Sequence, residues 1–464
     1  MSKTRFMKVK IFILIVFLLP FILISFYNQP SPENYWDANN ILKYGRLGAV
    51  KNLYLTVSAR YFSNFLMSEC NTIPGGNFWI FKASPTLTIM LLILAFYFFY
   101  NSLFGLLVNK KNILIVSIVS TTAHIVNMRN LYEGLYWTSS AFVYQLAIII
   151  FLLGIAAIIK TIRKYSIGST LFSLFCSIVL PGTSELLVPA YLIGLISLVV
   201  IVYRLQMKTK VLIANIIATI IGTVIVLLSP GNYSRVQNDA LNYSQSLMFA
   251  LKRSFESVGY YTFIWIFNPV NILILLLALP FLLKLSSKVD GFLQLLKPFN
   301  KGILFIAASI LICMSIYIPL FYFEADTPFP RITTMVFIIE FFLFLIFLCN
   351  LLKISVLNQK ISKIVELKNY KKICWLLFFI ALFCNKNFLA VTKDLLTGTA
   401  YRFNKEYTAK YREIRNCKND TCYITPFRNW PESIQLGKQD TSSGSVLHME
   451  KYFGKVIIIK HSSE

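Results

Sequence analysis

Charge is scarce in this chain. Only 14% of its 464 residues are Asp, Glu, Lys or Arg, against roughly 25% in a typical soluble domain. So little charge cannot cover a water-facing surface. Acid is the rarer sign: 20 Asp and Glu stand against 45 Lys and Arg, a net +25. That excess invites a nucleic-acid reading, but the basic residues are scattered over many short segments and no RNA- or DNA-binding motif occurs. No nucleic-acid partner is expected. A glycine-rich nucleotide loop and a Walker sequence are also missing, which removes the usual nucleotide-driven classes. Metal spacing is absent too. Cys417 and Cys422 (CKNDTC) have no neighbouring His or further Cys, so they read either as a local disulfide or as free thiols. No cofactor is called for, and a divalent metal is left open.

What the chain has is apolar length. Hydrophobic residues make up 56% and the mean hydropathy is +0.65. They come in blocks long enough to cross a hydrocarbon core of about 30 Å. The expected fold is an all-α polytopic membrane protein with about eleven spans, at 9–27, 85–108, 112–128, 139–159, 168–182, 187–203, 211–228, 263–283, 302–322, 333–352 and 373–391. The first block follows Lys3, Arg5, Lys8 and Lys10, is long, and lacks a small-residue cleavage site, so it reads as a retained helix.

Charge sets the orientation. Segments 109–111, 160–167, 204–210, 284–301 and 353–372 are rich in Lys and Arg, with only Asp290 and Glu366 opposing. They read as cytoplasmic, which puts the N-terminus inside and the C-terminus outside. The acids Glu33, Asp37, Glu69, Glu133, Glu185, Asp239, Glu256, Glu324 and Asp326 gather on the other side. The long polar segments there are a first outer loop, 28–84, a loop at 229–262, and a small extracytoplasmic C-terminal region, 392–464. The last includes a strand-like run from Lys455 to Lys460 (KVIIIK).

Several outer segments carry candidate chemistry. In Ser31-Pro32-Glu33-Asn34-Tyr35-Trp36-Asp37 the Ser-Pro pair predicts a helix start. Glu33 and Asp37, four apart, then share one face. At a membrane surface such a carboxylate suits a general base; equally, both suit the positive end of a short helix. Arg60, in Ser58-Ala59-Arg60-Tyr61-Phe62-Ser63, Arg235, in Ser229-Pro230-Gly231-Asn232-Tyr233-Ser234-Arg235, and Arg331, after Pro330, are arginines on the side where the charge bias disfavours them. Each offers a planar fork for phosphate, or for an outer carboxylate. The turn at Asn232 offers backbone N–H groups. Tyr136 and Trp137 read as aromatics of the membrane interface, and Glu185 closes a tight turn near membrane depth. Glu340, inside the tenth span, is the exception to this outer clustering.

Taken in order, the Glu33 segment, SARYFSNFL at Arg60, YWTSSAFVY from Tyr136, the turn ending in Glu185, SPGNYSR ending in Arg235, Pro330-Arg331 and the closing Tyr452-Phe453-Gly454 resemble a bacterial family of polytopic membrane proteins of uncharacterised function. That family is similar to the serotype-converting glucosyltransferases that decorate O-antigen, in the wider GT-C glycosyltransferase class. The resemblance implies a GT-C-like domain over 1–391 in the bacterial inner membrane. It implies transfer of a sugar from a polyprenyl-phosphate donor to a glycan or lipid-linked acceptor outside. Glu33 and Asp37 would be catalytic. Arg60, Tyr136, Trp137, Glu185, Asn232, Arg235 and Arg331 would bind substrate. The family shows Asp-Asp-Tyr where this chain has Glu33-Asn34-Tyr35, so either Glu33 is the base, or Asp37 is, or activity has been lost. A polymerase of O-antigen or capsule, using a pyrophosphate-linked donor, and a lipid-linked glycan flippase are the rival expectations.

Overall fold

The computed structural model describes residues 3–204, 206, 209–234, 246–287, 302–323, 327–352, 355–435 and 444–459. Arg235, Asp239, Asp290, Glu324 and Asp326 lie outside them. Helix α1 (Lys3–Ser25) leads into three short helices that build the first loop: α2 (Pro32–Tyr44), α3 (Arg46–Thr56) and α4 (Tyr61–Cys70). Then come α5 (Trp79–Phe104), α6 (Lys110–Val126), α7 (Thr138–Arg163), α8 (Ile167–Val179), α9 (Glu185–Arg204) and α10 (Lys210–Leu227). The second half holds α11 (Leu247–Ile266), α12 (Pro269–Ser287), α13 (Gly302–Phe323), α14 (Pro330–Leu351), α15 (Ser355–Val365), α16 (Tyr370–Phe383) and α17 (Lys386–Leu396). The tail adds α18 (Thr399–Asn416), strand β1 (Thr421–Ile424), α19 (Gly444–Phe453) and strand β2 (Val456–Ile459).

The chain is thus an all-α multi-pass membrane protein. Among the described residues, six helices are long and apolar enough to cross a bilayer, or eight when each of two bent pairs forms one span. The other three of the eleven expected crossings fall on α6, of 17 residues, and on the shorter apolar stretches Ile167–Val179 and Ile306–Tyr322.

Two expected spans contain a break. The segment 263–283 is divided between α11 and α12, which meet at 70°. Pro269 opens the second helix, as its fixed φ and missing N–H favour. Much of the loop expected at 229–262 is therefore α11. The segment 373–391 breaks between α16 and α17, bent by 53°, where the Asn385 side chain caps the new helix by accepting from Asn387 N at 2.9 Å.

A third difference is at Pro85. The expected span began there, yet α5 starts at Trp79 and carries Pro85 inside it. Proline donates no hydrogen bond, so the carbonyl one turn back, Phe81 O, loses its partner. Asn28 Nδ2 replaces it at 2.8 Å and also donates to Tyr136 O at 2.8 Å. One side chain after α1 thereby satisfies the proline-bearing helix and fixes the turn before α7, in keeping with the demand that backbone groups in a membrane bundle be paired.

The tail packs onto the first loop. Strands β1 and β2 pair in parallel, with Thr421 opposite Val456 and Ile424 opposite Ile459, which bears out the strand-like run. Cys417 and Cys422 are disulfide-bonded between α18 and β1. Helix α19 lies against α2. The buried ring of Tyr35 sits among Tyr411, Tyr452 and Phe453 and shares a hydroxyl–hydroxyl bond of 2.9 Å with Tyr407.

Candidate functional site

Helix α2 is the first wall of a cavity of about 400 Å³. Its start is fixed locally: Ser31 N donates to Asn34 Oδ1 at 2.8 Å, a reciprocal cap that satisfies an otherwise orphan donor. Asn34 Nδ2 reaches Ser139 Oγ at 3.0 Å, and Asn71 Nδ2 holds Asn34 O at 2.9 Å. Helical spacing then turns Glu33, Trp36 and Asp37 to the cavity. Opposite them stand Arg60, which precedes α4, the start of α7 with Trp137, Ser139, Ser140 and Tyr144, and Arg331 in the first turn of α14. His448 of α19 completes the wall.

The two carboxyls are unlike. Asp37 is 7% exposed; burial, then the charge of Glu33, lifts it to about 7. Burial also raises Glu33, while Arg331 and the Trp137 indole oppose the rise. An acid poised near neutral pH is suited to take a proton from a hydroxyl.

The two arginines flank one ring. The centre of Tyr144 lies 5.9 Å from the Arg60 guanidinium and 5.5 Å from that of Arg331. Arg60 is held by Glu185 in a two-pronged pair, Nε to Oε2 at 3.0 Å and Nη2 to Oε1 at 2.7 Å. Arg331 rests over Phe329 and Trp137, at 4.6 and 5.1 Å, and reaches Glu133 Oε2 only at 3.5 Å. Its Nε is buried with no hydrogen-bond partner, and such a donor costs free energy until an acceptor arrives. The pair around Tyr144 is therefore a fitting place for an anion.

The short motifs position Arg60. Gly182 O accepts from Phe62 N at 2.9 Å and Ser63 N at 3.2 Å, and a Cβ at 182 would come within 2.3 Å of the Tyr61 ring. Only glycine permits that approach. Ser229 Oγ donates to Tyr54 O at 2.6 Å, and Asn232 Oδ1 accepts from Ala59 N at 3.2 Å. A Cβ on Gly231 would meet Val57 N at 2.6 Å.

Of the residues expected at the site, the cavity gathers Glu33, Asp37, Arg60, Trp137 and Arg331. Glu185 stands behind Arg60. Two expectations are corrected. Asn232 does not line the cavity but clamps the backbone before Arg60. Tyr136 is 0% exposed and donates to Phe21 O at 2.8 Å, so it belongs to the core. Arg235 is outside the described residues. Ser140, Tyr144 and His448 were not singled out by sequence reasoning. Tyr144 stood within the YWTSSAFVY motif. No sequence signal links His448, in the tail, to the first loop. The His448 ring meets Trp36 edge-on at 6.5 Å. Burial, then Lys451, hold it below the usual histidine value.

Among the described residues no group of three or more His, Cys, Asp or Glu is placed to hold a metal. Fold and site together define a multi-pass α-helical membrane protein with a charged, aromatic cavity built from its first loop, bundle and tail. No protein-family model, curated protein or solved structure matches the chain.

Proposed function

We propose that the chain is a glycosyltransferase of the bacterial inner membrane, moving a sugar from a polyprenyl-phosphate carrier to a glycan or lipid acceptor on the extracytoplasmic side. The observation that carries this reading is one cavity with two carboxyls on one helix and two arginines around Tyr144 opposite. Asp37 removes the acceptor hydroxyl's proton while that oxygen attacks the anomeric carbon. The bond from that carbon to the phosphate oxygen breaks, and its electron pair leaves on the polyprenyl phosphate. Arg60 and Arg331 meet the charge that develops there. Glu33 helps keep Asp37 near neutral pH. A single displacement inverts the anomeric carbon.

The test is transfer from a polyprenyl-phosphate sugar by the full chain in proteoliposomes. Asp37→Asn is expected to lower turnover roughly 10²–10⁴-fold, the range for a lost general base, and Glu33→Gln less. Near-normal turnover in both variants would remove the assignment.

A further inference from the structure

The proposed transferase does not use Glu340, an acid inside the bundle. Glu340 is the eleventh of the 22 residues of α14. At about 1.5 Å per residue it lies about 15 Å along the helix, half of a hydrocarbon core of about 30 Å. It borders a cavity of about 460 Å³ otherwise lined by groups such as Phe255, Phe263, Ile310, Leu343 and Phe347. Thr262 of α11 donates to Glu340 Oε1 at 2.9 Å. Glu340 Oε2 is buried without a hydrogen-bond partner, and so is the hydroxyl of the fully buried Tyr317. Cys313 and Tyr317, both on α13, face the carboxyl.

No cation pairs with Glu340 among the described residues. The nearby Arg129 bonds the Tyr261 hydroxyl and stacks 5.1 Å from that ring. Farther along α11, Lys252 and Arg253 pair with Glu256. A second void of about 40 Å³ also borders Glu340, with Thr262 and Asn271 as its other polar groups among aromatic and aliphatic side chains; it has room enough for a water. Asn271 exchanges hydrogen bonds of 2.9 and 3.0 Å with Asn127, which also accepts from Asn268 at the break between α11 and α12. An unpaired carboxylate inside a membrane bundle is expensive, whereas the acid is not.

We propose that Glu340 is a proton-binding site inside the bundle, with Thr262 as its hydrogen-bond donor, Cys313 and Tyr317 facing it, and the water-sized void beside Asn271 as the proton's route. The site is separate from the first-loop cavity and does not rest on the transferase reading.

The experiment is reaction of the full chain in lipid vesicles with dicyclohexylcarbodiimide, an apolar reagent that modifies protonated carboxyls. The acid's O–H adds across one C=N bond, with oxygen bonding to carbon and the proton moving to nitrogen. The adduct rearranges to an N-acylurea, and nothing leaves. Peptide mass spectrometry reads the site in the wild-type chain, so no variant has to fold. The peptide holding Glu340 is expected to be modified in acid, with a rate falling about tenfold per pH unit once the group titrates. Thr262→Val removes a donor that favours the carboxylate, so its labelling should persist to higher pH. No modification of that peptide in acid, a rate indifferent to pH, or a profile unmoved in Thr262→Val would each overturn the proposal.

Discussion

Two groups of carboxyls among the described residues, Glu33 with Asp37 and Glu340 alone, differ in what stands opposite. Glu33 and Asp37 share their space with Arg60, Arg331, hydroxyls and indoles. Glu340 shares its space with a threonine, a thiol, a tyrosine and hydrocarbon. A cavity that holds both signs, with a guanidinium N–H still lacking an acceptor, is a place where negative charge can develop. An acid answered only by neutral groups in apolar surroundings is stable chiefly as the acid. The same side-chain chemistry therefore serves two purposes, set by whether a guanidinium is near.

After loss of the Asp37 base, the largest expected effect comes from removing that guanidinium. Arg331→Ala should lower transfer in proteoliposomes roughly 10²–10³-fold, the usual loss for a group that stabilises transition-state charge. Arg60→Lys keeps the charge but loses the fork held by Glu185, and about a tenfold loss is expected there. Carbodiimide labelling of Glu340 should be unchanged in both, showing the bundle intact. Wild-type turnover in Arg331→Ala would mean that the cavity does not hold the leaving phosphate.

A smaller effect distinguishes the acids by pH. Asp37 is lifted from 3.8 to about 7 in the fold, so the folded chain holds this proton more tightly than the unfolded one. Its contribution favours folding below the unfolded value and is lost as pH rises towards 7. At roughly 1.36 kcal/mol per unit, the cost above that range is up to about 4 kcal/mol. Asp37→Asn removes the titration and should raise the melting temperature in alkaline buffer while changing little in acid. Parallel melting curves for wild type and Asp37→Asn across the range would refute the raised Asp37 value.

Much of this was legible in the sequence. Apolar length marked eleven segments that are largely helical in the structure, two of them broken by a bend, and the spacing of Glu33 and Asp37 placed them on one face. Sequence could not show Asn28 reaching the carbonyl that Pro85 frees, because that bond joins residues 53 apart. The same holds for His448: it reaches the first loop only because α19 packs on α2 through Tyr35 and its aromatic neighbours. Glycines that look like turn residues, Gly182 and Gly231, are instead sites of close approach, a property of two surfaces and not of one segment. Asn232 and Tyr136 were misread for that reason: their partners lie far along the chain.

The smallest effect concerns Asn34, where the resembled family carries an acid. In the structure this residue accepts from Ser31 N, which a carboxylate does equally well, and donates to Ser139, whose hydroxyl can turn round and donate instead. Asn34→Asp should therefore change stability by less than about 1 kcal/mol, whereas Asn34→Ala loses the cap and costs about that much. A third acid beside Glu33 and Asp37 would hold Asp37 protonated to higher pH. Transfer at neutral pH should then fall slightly and recover in alkaline buffer. Paired melts and pH–rate profiles of the two variants separate these outcomes. If Asn34→Asp instead raised turnover tenfold or more at every pH, the base would belong at position 34 and Asp37 would lose its role.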